Sequence, residues 1–113
     1  MIMYKSKNPD LTKIDGFEWD EGNSLKNKIK HDVESKECEE VFLNEPLRFF
    51  DDDIHSGNEK RYGVLGKTNN GRKLTMFFTI RKYKIRVISA YDQGKNDRKI
   101  YALVEVEFEK IGK

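Results

Sequence analysis

Cysteine, histidine, proline and long apolar runs are all scarce in this chain of 113 residues. A single cysteine, Cys38, excludes an internal disulfide framework. Two histidines, His31 and His55, leave no cluster at metal-ligand spacing. No apolar stretch approaches the roughly 20 residues that a membrane-spanning helix needs, and the N-terminus has no apolar signal-peptide core. Internal repeats and low-complexity segments are absent too. Together these absences predict a cytoplasmic protein that needs neither metal nor cofactor.

What is present is charge and aromatic rings. Charged residues make up 37% of the chain and hydrophobic ones 36%, but seven Phe, five Tyr and one Trp argue against disorder. The length suits one core and one domain. A net charge of +2 conceals a strong asymmetry. Residues 1–59 hold 8 Lys/Arg against 15 Asp/Glu, whereas residues 60–101 hold 12 against 2, and the tail adds 2 against 3. Such segregation predicts a basic face that meets phosphate or an acidic partner.

Along the chain, residues 1–12 have no clear period and read as a loose leader before one domain spanning 13–113. Asp15-Gly16 suggests a turn, followed by a short strand at Phe17 to Trp19. Asp20 is a good helix N-cap, with Glu21 in the first turn. A helix over 21–31 would stack Leu25 on Ile29 along one face, with Asp32 tolerating a left-handed C-terminal turn. A second helix over 34–43 carries Cys38, Val41 and Phe42 on its apolar face, and Pro46 closes it. Strands follow at 47–51, 59–65, 73–81 and 84–90, then a short helix at 94–101. Residues 102–111 fit strand or helix equally. The fold class is α+β: two N-terminal helices on one face of an antiparallel sheet of about four strands, with a short C-terminal helix.

The last two strands allow a register to be drawn. A two-residue loop at Lys82-Tyr83 sets Arg81 opposite Lys84, Ile80 opposite Ile85, Thr79 opposite Arg86, Phe78 opposite Val87 and Phe77 opposite Ile88. Alternation then gives one face Met76, Phe78, Ile80, Ile85 and Val87, a surface for the helices to cover. The other face carries Thr79, Arg81, Lys84 and Arg86 beside Phe77 and Ile88. Arginine suits phosphate oxygens and an aromatic ring suits a base. A merely solvated second face is the plain alternative.

Several short motifs in order are similar to one family. Phe17-Glu18-Trp19-Asp20, Asn23, Lys30-His31-Asp32-Val33 and Glu40-Val41-Phe42 resemble the opening of the BrnT ribonuclease toxins. Asp53 and His55, Glu59-Lys60-Arg61, Gly66, Gly71-Arg72, Arg86-Val87-Ile88-Ser89-Ala90, Arg98 and Tyr101 extend the resemblance to most of the chain. It implies a RelE-like fold, RNA cleavage by a type II toxin, and neutralisation by a BrnA-like antitoxin through which the protein would oligomerise. Asp32 replaces the family's usual glycine, Ser35 an aromatic, and Asp97 a glutamate. Tyr91 stands where the family usually has a second arginine, which removes one phosphate-binding charge.

Metal-free RNA cleavage needs activation of the 2′-hydroxyl, stabilisation of the pentavalent phosphate, and protonation of the leaving 5′-oxygen. Arg61, Arg81 and Arg86 are the expected phosphate clamp. Glu59 or His31 is the expected base, and His31 or Lys30 the acid. Lys30, Lys84, Ser89 and Arg98 are expected to bind RNA, while His55 reads as a surface residue. The other reading is a non-catalytic basic module that binds RNA or an acidic protein.

Overall fold

The computed structural model describes residues 9–111, and eight of the twelve residues of the expected leader lie outside that range. The elements run β1 (Gly16–Phe17), a π-wound turn (Glu21–Leu25) continued by α1 (Lys26–His31), α2 (Ser35–Leu43), β2 (Arg48–Asp51), β3 (Tyr62–Lys67), β4 (Lys73–Arg81), β5 (Lys84–Asp92) and α3 (Lys95–Ile111). The protein is α+β, but its sheet has five strands in the order β1-β5-β4-β3-β2. The expected sheet of about four antiparallel strands is therefore corrected. Gly16 and Phe17 pair with Lys84 and Ile85 in parallel, so the sheet is mixed.

The β4–β5 hairpin keeps the drawn register from Arg81↔Lys84 to Phe78↔Val87. Lys82 takes the left-handed conformation that a two-residue loop demands, at φ 57°. Beyond Val87 a bulge intervenes, and Phe77 faces Ser89 instead of Ile88. The extra residue preserves alternation on both sides of it. Ala90 lies opposite Met76 on the core face, and Ser89 and Tyr91 fall on the other face.

The first helix departs from its expected orientation. Leu25 is 49% exposed and Ile29 74%, whereas Asn23 and Asn27 are buried. The reason is the bulged edge of β5, which β1 is too short to cover. Asn23 Nδ2 donates to the Val87 carbonyl at 3.0 Å, and the Ala90 N–H donates to Asn27 Oδ1 at 3.0 Å. Lys26 Nζ donates to the Ile88 carbonyl between them. The helix thus presents amides, not hydrocarbon, to a strand edge whose peptide groups would otherwise lack partners. Both expected caps are present: Asp20 accepts from the Asn23 N–H at 3.1 Å, and Asp32 is left-handed at φ 54°.

The main core lies between α2 and the first sheet face. Val33, Cys38, Val41, Val64, Leu74, Met76, Phe78, Ile85, Val87 and Ala90 form it. The final helix is 17 residues long rather than short, and it takes in the ambiguous segment. It lies across one end of the second face. There Asp97 accepts from Thr75 Oγ1 at 2.7 Å, Glu105 meets Lys67 and Lys73, and the buried Tyr101 hydroxyl donates to the Pro46 carbonyl at 2.8 Å. The other end of that face is left open.

Candidate functional site: the open half of the second sheet face

Register and alternation arrange the second face in cross-strand rows. Phe50, Gly63, Phe77 and Ser89 make one row. The Asp52 N–H donates to the Arg61 carbonyl at 3.1 Å, which extends the β2–β3 pairing by one residue. The next row is therefore Asp52, Arg61, Thr79 and Arg86, with Glu59, Arg81 and Lys84 beyond it. Four of the expected catalytic residues, Glu59, Arg61, Arg81 and Arg86, meet on one patch around the buried Thr79. Ser89 and Lys84 border it.

Every cation of the patch already has a carboxylate. Glu59 grips Arg81 with two hydrogen bonds, to Nε at 2.8 Å and Nη2 at 3.1 Å. Arg86 Nη1 lies 3.0 Å from Asp20 Oδ2, and Lys84 Nζ lies 2.7 Å from Asp15 Oδ1. Arg61 Nε lies 3.5 Å from Asp52 Oδ2. The expected basic face is instead a mixed one. The cause is topological: β1 lies parallel beside β5, so the acidic N-terminal segment from Asp15 to Asp20 runs alongside the arginines. Charges segregated in sequence are rejoined in space.

One carboxylate holds a special place. Glu18 Oε1 is 3.7 Å from Arg81 Nη1 and 3.7 Å from Arg86 Nη1, so a single anionic oxygen sits between two guanidinium groups. That oxygen is buried and accepts no hydrogen bond in good geometry. Hydrogen bonds from Arg81 hold the Glu59 carboxyl, and those from Arg86 the Asp20 carboxyl, below the usual carboxylate range. Glu18 appears in the sequence only as part of a motif, and pairing of β1 with β5 is the signal that would have found it.

Beside the arginines runs a band of rings. Phe50 meets Phe77 edge-on at 5.7 Å, Phe77 meets Tyr91 at 6.3 Å, and Tyr91 meets His31 at 5.5 Å. Gly63 is required here, because a Cβ on it would come within 2.2 Å of the Phe50 ring. Tyr91 thus joins the aromatic band. Burial raises its phenol above the ordinary value, and Asp97 and Asp52 add to the effect. His31 sits at the far end of this band, with its carbonyl accepting from Arg72. Lys30 is exposed on α1, and Arg98 on α3 donates to the Gln93 carbonyl. Neither belongs to the patch around Thr79.

The loop after β2 pairs the exposed His55, expected at the surface, with a buried carboxylate. Asp52 is buried, and its Oδ1 lies 2.9 Å from His55 Nδ1. The same carboxylate therefore holds both His55 and Arg61. Among the described residues no three His, Cys, Asp or Glu side chains converge in a metal-binding group. Likewise, no helix among them is long and apolar enough to cross a membrane.

Fold and site together define a small α+β protein with an arginine–carboxylate cluster and an aromatic band on the uncovered half of a mixed sheet. A family model described as the ribonuclease toxin BrnT of type II toxin–antitoxin systems matches residues 19–97, and the chain belongs to that family. An antitoxin protein partner goes with a system of that type. No curated protein matches the chain.

Proposed function

We propose that the protein is a metal-independent endoribonuclease with a RelE-like fold, acting in the cytoplasm and silenced by a small BrnA-like antitoxin that also sets its oligomeric state. RNA lies over the open half of the second face. The single observation that carries this reading is the Glu18 oxygen held between Arg81 and Arg86. An anionic oxygen in that place is what a phosphate oxygen would be, and two guanidinium groups around it would stabilise the charge that grows on a pentavalent phosphorus.

A phosphate entering the patch takes over Arg81 and Arg86, with Arg61 across Thr79 as the third cation. Glu18 is displaced towards the ribose, and its oxygen, bound by no donor, accepts the 2′-hydroxyl proton. Glu59, tied twice to Arg81, serves to orient that arginine. Phe77 and Phe50 offer faces and edges on which bases can stack. Lys84 and Ser89 flank the strand's path, and Lys30 and Arg98 extend the attraction for phosphate to either side.

Expression of the wild-type protein in a bacterium, beside an Arg81→Ala variant, tests the proposal. Arrest of growth with RNA breakdown by the first and neither by the second is expected. Growth at the normal rate with intact RNA in both contradicts it. The observation that favours a second reading is the complete pairing of the arginines, together with Tyr91 in place of an arginine. A non-catalytic module would bind RNA or an acidic protein without cleaving RNA, and its affinity would fall linearly on a log–log plot against salt.

A further inference from the structure

His55 lies outside the arginine patch yet is tied to it through one buried carboxylate. Asp52 Oδ1 and Oδ2 lie 2.9 and 3.2 Å from His55 Nδ1, and Oδ2 lies 3.5 Å from Arg61 Nε. Asp52 is 9% exposed, whereas the His55 side chain is 64% exposed. A buried carboxylate that engages Nδ1 fixes the ring and leaves Nε2 to carry the proton towards solvent. Nε2 has no partner among the described residues. The loop is itself braced: Ser56 Oγ donates to the Asp52 carbonyl at 2.8 Å and accepts from the Arg61 N–H at 2.9 Å. The remaining charges near the loop, Asp51 and Asp53, are engaged by Lys60.

The position across the sheet matters as much as the pairing. Asp52 and Arg61 stand on one side of Thr79, and Arg86 with Glu18 on the other. In-line displacement at phosphorus needs its proton acceptor and its proton donor on opposite sides of the phosphate. His31, by contrast, ends the aromatic band against Tyr91.

From this geometry we infer that His55 is the general acid of the cleavage reaction and that Asp52 is its positioning residue; the inference rests on the ribonuclease reading above. The 2′-oxygen gives its proton to the Glu18 carboxylate and bonds to phosphorus. The bond from phosphorus to the 5′-oxygen breaks with its electron pair on that oxygen, which takes the Nε2 proton of the His55 imidazolium. The products are a 2′,3′-cyclic phosphate and a 5′-hydroxyl. Glu18 is left protonated and His55 neutral, and exchange of protons with water restores both.

A bridging 5′-thio RNA separates acid catalysis from every other role, because a thiolate leaves without a proton. His55→Gln should cleave ordinary RNA about 100- to 10,000-fold more slowly than wild type, the range typical of a general acid. On the 5′-thio substrate its loss should shrink to less than about tenfold. Asp52→Asn should show a smaller loss with the same recovery, and Arg61→Ala should be slow on both substrates. His55 is exposed, so unchanged melting of His55→Gln separates chemistry from folding. Equal slowing of His55→Gln on both substrates, or ordinary RNA cleaved at the wild-type rate, overturns the acid role alone. Failure of the wild type to cleave either RNA overturns the ribonuclease reading, and the acid role with it.

Discussion

The two halves of the second sheet face are built from the same strands by the same alternation, yet they have opposite fates. At one end α3 seals Leu65 and Thr75 and buries its own Tyr101, with polar groups answered by Asp97, Glu105 and the Pro46 carbonyl. At the other end α3 leaves Arg61, Arg81 and Arg86 uncovered around Thr79, and carboxylates answer them. The sealed half holds the fold, and the open half is the proposed site. What separates them is the covering element: a 17-residue helix on one end, and on the other a short acidic segment held by two residues of parallel pairing.

That division can be broken from either side. Glu18→Gln should remove the proton acceptor and slow cleavage by about 100- to 10,000-fold, while RNA binding stays equal or tightens because one anion has gone. A parallel loss of binding would assign Glu18 a structural place instead. Tyr101→Ala should act on the sealed half alone, costing about 3–5 kcal/mol by loss of a large buried ring, read as a lowered urea midpoint. Unchanged stability would mean that α3 does not hold that end.

Asn27→Ala should cost about 1–3 kcal/mol, because it strands the buried Ala90 N–H on the β5 edge. Hydrogen exchange at Ala90 reports it directly. In acid, Glu59 and Asp20 should remain ionised below the range of free carboxyls, since Arg81 and Arg86 hold them. Both folded values are lowered, so whatever stability these pairs add is present above the unfolded-state values and lost as pH falls through the folded ones. In Arg81→Ala the Glu59 titration seen by NMR should move back up. The buried Cys38 thiol, pushed up to about 12, should resist alkylation in the native protein at mild pH and react on unfolding. Smallest of all, Leu25→Ser should change stability by less than about 0.5 kcal/mol, since that side chain is exposed.

Much of this was legible in the residues themselves. Local chemistry marked both caps of the first helix, and strict alternation fixed the hairpin up to Phe78 and Val87. The Ile88 bulge escaped because nothing in an apolar run marks an unpaired residue. Leu25 and Ile29 misled for a related reason. Helical spacing shows which residues share a face, but not whether that face meets a core or a strand edge. Arg81 and Arg86 could be placed from the hairpin alone. Glu18, Asp52 and His55 could not, since they reach the patch through a parallel pairing and a loop between β2 and β3.

The most direct test of the open half is cleavage of a fluorescent single-stranded RNA by the purified protein, wild type against Arg86→Ala, with chelator present. Cleavage by the wild type and a loss of at least about 100-fold in the variant are what this account predicts, the range of removing one charge-stabilising donor. Equal rates in the two proteins, or intact RNA with both, would contradict it.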